Sequence, residues 1–84
     1  MTSFRLVREA EEELRLAAEF YDEAQPGLGR ALIDEVRRAK NFILAHPLSA
    51  RIERSEVRVR SIARFPYRIY YRVRAEEILV VACL

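Results

Sequence analysis

The stretch FPYRIYYRV, residues 65–73, decides how this chain folds. Its odd positions, Tyr67, Ile69, Tyr71 and Val73, are bulky and suited to a core, whereas Arg68, Tyr70 and Arg72 form a second, more polar set. A period of two marks a strand with one face buried and one open. Pro66 is compatible with the first residue of such a strand, where no ladder donor is required. On the N-terminal side, residues 56–64 alternate again, with Val57, Val59 and Ala63 opposite Arg58, Arg60, Ile62 and Arg64. On the C-terminal side, Ala75-Glu76-Glu77 makes a turn into residues 78–84, which are apolar at nearly every position and suit a central strand.

Upstream of these strands the period changes. Residues 3–7 alternate weakly and predict a short strand. From about Arg8, Ala10, Leu14, Ala17 and Tyr21 recur at helical spacing, with Leu16 and Phe20 widening the apolar face. Pro26-Gly27-Leu28-Gly29 ends that helix and reverses the chain. A second helix, about 28–45, carries Leu32, Val36, Ala39 and Ile43 on one stripe, extended by Phe42 and Leu44, and stops at His46-Pro47. Phe4, Phe20, Tyr21 and Phe42 are expected in the core.

The predicted fold is therefore α+β in the order β-α-α-β-β-β, with a helix hairpin packed on one face of a small, mainly antiparallel sheet. In that arrangement Arg68, Tyr70 and Arg72 project from the bare face. If the valines of the preceding strand point inward, Arg58, Arg60 and Arg64 join them there. A solvated sheet face is the competing reading of these arginines.

Composition narrows the possibilities. At 84 residues and 9.9 kDa, with 51% apolar and 33% charged residues, the chain is one globular domain. No apolar run approaches the ~20 residues that span a bilayer, and no signal-peptide pattern opens the chain, so a cytoplasmic protein without membrane partners is expected. The lone Cys83 agrees with a reducing compartment. A net charge of +2 hides an asymmetry: residues 51–74 hold eight arginines against Glu53 and Glu56, a balance of +6. Such a segment suits an anionic partner, either nucleic acid or an acidic protein segment, and Tyr70 among guanidinium groups adds a stacking surface.

Other residues invite plainer readings. His46 sits where a helix C-terminus attracts positive charge, and no nucleophile is spaced to use it. Cys83 lies in an apolar run as a core thiol. Glu9 and Glu11 to Glu13 complement a helix N-terminus. No spacing suggests a metal site and no glycine loop suggests a phosphate cradle, so neither metal nor cofactor is expected.

Three segments together carry a family resemblance: FYDEAQPGLGRALIDEV (20–36), ILAHP (43–47) and RFPYRIYYRV (64–73). They resemble the RelE/ParE superfamily, toxins of bacterial type II toxin–antitoxin, or plasmid stabilisation, modules. The resemblance implies a growth-inhibiting protein neutralised by a cognate antitoxin with an acidic segment, as a homodimer or a heterotetramer with that antitoxin. ParE-like members act on DNA gyrase without known catalytic chemistry, and RelE-like members cut mRNA on the ribosome. Carried over by position, Arg68 matches the strand arginine of the RNA-cutting members, whose preceding basic strand corresponds approximately to Arg58 and Arg60. The similarity leaves the chain, read as a single domain over 1–84, short of the family's basic C-terminal tail. A non-toxic remnant that still binds antitoxin is thus a further alternative.

Arginine is a poor proton shuttle because its pKa exceeds ~12, and Tyr70 would need its pKa depressed from ~10. Arg68 and Tyr70 are therefore the catalytic candidates only if the chain is an endoribonuclease. The reading preferred from sequence is a binding toxin that uses Arg58, Arg60, Arg64, Arg68, Tyr70 and Arg72 to hold its target or antitoxin.

Overall fold

The computed structural model describes residues 2–84. Two helices cover one face of a five-stranded mixed sheet. The elements are β1 (Ser3–Leu6), α1 (Arg8–Ala24), α2 (Leu28–Ala45), β2 (Ile52–Arg54), β3 (Val57–Ser61), β4 (Arg68–Val73) and β5 (Glu77–Cys83). Across the sheet they lie in the order β1-β5-β4-β3-β2, with β1 parallel to β5 and the remaining neighbours antiparallel. The apolar run at 78–83 is thus a central strand, as its two-sided hydrophobicity predicts.

The helix hairpin owes its geometry to Asp22 and two glycines. Gly27 caps α2 with φ 92°, in the left-handed region where a Cβ is unfavourable. Gly29 serves a different purpose: a methyl group there would collide with the Ala18 carbonyl oxygen and reach 3.1 Å from the Asp22 Cβ. Its missing side chain lets α1 and α2 touch. The Asp22 carboxylate accepts the N–H groups of Gly27 and Gly29 at 3.0 and 3.1 Å, so α1 supplies the cap that α2 lacks. On the outer surface Arg15 pairs with Glu12 and Glu19 at helical spacing.

The core lies between hairpin and sheet. Leu32 and Ile43 from α2 share one buried cluster with Ile69, Tyr71, Ile78 and Val80, together with Ala10, Ala17 and Ala39 from the helices. The Tyr67 ring stands edge-on to Tyr21, 6.1 Å between centroids. Tyr67, Ile69, Tyr71 and Val73 therefore lie on the helix side, as their alternation requires. Phe20 and Phe42 depart from expectation: both are exposed rather than in the core, as is Leu16, which widens the same apolar face. The helical stripe placed them near the apolar face, but the sheet is too narrow to cover its flanks.

Two further differences concern the strands. β2 was not anticipated, because the turn joining it to β3 consists of Ser55 and Glu56, both with positive φ. That sign pattern belongs to a type I′ hairpin, usually signalled by Asn-Gly. β3 ends at Ser61, not near Arg64. There the chain leaves the ladder, passes through Arg64 at φ 73°, and inserts Ile62 and Phe65 into the core.

Burial has a measurable consequence at Cys83. Removal from water, aided by the Glu13 charge, pushes its thiol from the ordinary 9.0 to about 11. The folded state holds this proton more tightly than the unfolded chain. Its contribution is complete below pH 9 and is lost as pH rises through 11. Cys83→Ala should flatten that alkaline decline in the free energy of unfolding by up to about 2 kcal/mol, while itself lowering stability at neutral pH. Equal pH slopes for the two proteins would contradict this assignment.

Candidate binding surface

The register between β3 and β4 determines which side chains share the open face. Arg58 pairs with Tyr71 and Arg60 with Ile69, whereas Val59 pairs with Tyr70 and Ser61 with Arg68. Directly opposed residues project to the same side. Tyr71 and Ile69 are core residues, so Arg58 and Arg60 lie on the helix side. The expected alignment of Arg58, Arg60 and Arg64 with Arg68 and Arg72 is thereby overturned.

Each displaced arginine has local partners. Arg58 Nη1 donates to the carbonyl oxygens of Leu48 at 3.1 Å and Ala50 at 2.7 Å, fastening the α2–β2 connection to the sheet. The Arg60 guanidinium stacks 3.7 Å above the Phe42 ring. Arg64 lies outside the strands, 3.8 Å from the Glu35 carboxylate, which also accepts from Arg38 at 2.8 Å. Glu35 is 5% exposed, so these two arginines compensate a buried charge. Burial raises the pKa of Tyr71, partly offset by the charges of Arg58 and Arg60.

Arg58 can thus be separated from any binding role. Arg58→Ala should destabilise the fold by about 2 kcal/mol, the usual worth of charged hydrogen bonds to carbonyls. Thermal unfolding measures the loss, and an unchanged midpoint would refute the fastening role.

What remains on the open face is smaller and more apolar than a basic sheet. Tyr70 stands at its centre, between Val59 on β3 and Ala82 on β5. Val57 and Leu79 extend the apolar strip through their pairings with Arg54 and Arg72. Val59 is only 6% exposed although it lies outside the main core cluster. Around the strip stand Arg54, Arg68 and Arg72, none in an ion pair among the described residues. Arg5 and Glu77 close one margin with a 3.0 Å salt bridge.

The alternation of β4 predicts the placement of Arg68, Tyr70 and Arg72 on the open face, but it does not predict Arg54 and the two valines there. The missing signal was register: in a Val-Arg-Val-Arg strand a one-residue slip exchanges the faces completely. Among the described residues, no group of His, Cys, Asp and Glu is arranged to hold a metal ion. No described helix is long and apolar enough to cross a membrane.

Chemically, the surface offers aromatic and aliphatic contact inside a ring of guanidinium donors. Such a surface suits docking of a macromolecular segment.

Comparison with known proteins places this architecture. No curated protein sequence gives a significant match. A structure of the chromosomal ParDE toxin–antitoxin system from P. aeruginosa superposes with a TM-score of 0.84 at 20% identity, covering 99% of this chain and 94% of that one. That likeness concerns the fold. The model of the ParE toxin of the type II toxin–antitoxin system parDE matches residues 4–84, nearly the whole chain, and the chain belongs to that family.

Proposed function

We propose that this protein arrests bacterial growth by docking its open sheet face on an essential target such as DNA gyrase, and that a cognate antitoxin with an acidic segment neutralises it. The observation carrying this reading is the open face itself: Tyr70 and an apolar strip ringed by Arg54, Arg68 and Arg72, without ion-pair partners among the described residues. An antiparallel sheet with a solvated face ordinarily alternates to polar residues there. Val57, Val59, Leu79 and Ala82 instead keep the strip apolar and suited to an amphipathic segment. The surrounding guanidinium groups select carboxylates in that segment and accelerate encounter at low salt. Binding requires no acid–base pair, which agrees with a toxin acting by occupancy.

Induced expression in a bacterium tests the proposal, with purified protein assayed in parallel for inhibition of gyrase supercoiling and for ribosome-dependent mRNA cleavage. Growth arrest with lost supercoiling is expected. Cleavage dependent on Arg68 would replace the gyrase reading with the endonuclease one. Unchanged growth together with retained antitoxin binding would identify a non-toxic remnant.

A further inference from the structure

A second surface, chemically opposed to the first, lies at the outer edge of β5. β1 pairs with residues 77–80 and then ends, because the chain turns at Val7 into α1. Among the described residues, no strand pairs with 81–83 on that side. The Cys83 N–H is met by a side chain instead, donating to a Glu13 carboxylate oxygen at 2.9 Å. Beside this contact, Leu16, Phe20, Tyr67 and Leu84 line a depression of about 350 Å³. Leu16, Phe20 and Leu84 are 52%, 64% and 55% exposed.

The surroundings are acidic. α1 carries Arg8 and Arg15 against Glu9, Glu11, Glu12, Glu13, Glu19, Asp22 and Glu23, a balance of −5. Arg15 is already engaged by Glu12 and Glu19. Glu9 and Glu23 flank the Glu13–Leu16–Phe20 stripe at helical spacing and have no ion-pair partner among the described residues.

We propose that this notch accepts an extended, basic and apolar segment of a partner protein, which adds as a short strand to the free edge of β5. A carbonyl oxygen of the segment replaces Glu13 as acceptor for the Cys83 N–H, the usual currency of strand addition. Its apolar side chains cover Leu16 and Phe20. The released Glu13 carboxylate is then partly desolvated and needs a cation, which a Lys or Arg on the segment supplies. Charge therefore separates the two surfaces: the open face selects acidic segments and the notch basic ones. A second copy of this chain fits the notch less well. Two-fold pairing would bring Glu13 against its counterpart, and three partly exposed side chains offer far less than the ~800 Å² per partner of a standard interface.

The test is an amide chemical-shift titration of the folded protein with a short synthetic peptide of alternating valine and lysine. The Cys83 and Leu84 amides should shift, and exchange of the Cys83 amide should slow. A glutamate-for-lysine peptide should bind about tenfold more weakly or worse, as should the lysine peptide to a Leu16→Ser/Phe20→Ser variant. Both substitutions are at exposed positions, and an unchanged circular dichroism spectrum verifies the fold. An unmoved Cys83 amide, equal binding of the glutamate peptide, or a dimer dissolved by the double substitution would each overturn the proposal. None of these results bears on growth arrest by the open face.

Discussion

Gly29→Val should lower the stability of the folded protein by about 3–5 kcal/mol, the largest effect expected of any single substitution described here. The first added carbon falls on the Ala18 carbonyl oxygen, which is backbone inside α1 and cannot turn aside. Relief requires separating the helices, which also withdraws Asp22 from the N–H groups of Gly27 and Gly29. A helical glycine replaced by alanine ordinarily gains about 1 kcal/mol. Here Gly29→Ala should lose stability as well, because the collision begins at the Cβ. Gly27→Asn supplies the contrast: among the described residues nothing lies within 4 Å of a Cβ there, and asparagine tolerates its left-handed φ. It should cost less than about 1 kcal/mol. Domains of this length are stable by only ~4–13 kcal/mol, so Gly29→Val should be largely unfolded or show a sharply reduced denaturant midpoint. A midpoint within experimental error of the parent would remove the close-approach explanation of the hairpin.

The second large effect concerns activity. Arg68→Glu combined with Arg72→Glu should abolish growth arrest while leaving the unfolding free energy within about 1 kcal/mol of the parent, since the exposed Arg68 and the half-buried Arg72 have no ion pair among the described residues and contribute little to the fold. The same variant should associate with an acidic antitoxin at least about tenfold more slowly at low salt, and that difference should shrink as salt is raised. Arg58→Ala makes the opposite pattern the control: reduced stability with the open face intact. Retained toxicity in the doubly reversed protein would show that the target docks elsewhere. A rate insensitive to ionic strength would exclude the acidic-segment mode of recognition.

The contrast between Arg58 and Arg68 illustrates what could be foreseen. The two helices, their reversal at Pro26-Gly27, the central character of the last strand and the two faces of β4 were all legible, because each follows from a local period or a backbone preference. The family resemblance was legible too, since PGLG and FPYRIYYRV lie in segments of the right kind and order. β2 was not, because Ser55 and Glu56 adopt positive φ without the residues that advertise it. The placement of Arg58 and Arg60 on the helix side was not, because an alternation of valine and arginine defines two faces without saying which is inward.

By itself, then, the amino-acid order determined both helices, every strand except β2, the succession of these elements and the helix-covered side of β4, since hydrophobic periodicity acts over neighbouring residues. Only the tertiary structure decided the pairing of β3 with β4, the sites of Arg54, Arg58 and Arg60, and the exposure of Leu16 and Phe20. Register and coverage depend on contacts between distant segments. At the sheet margin, the carbonyls of Leu48 and Ala50 and the ring of Phe42 make the helix side hospitable to guanidinium groups that a hydrophobic pattern would send to water.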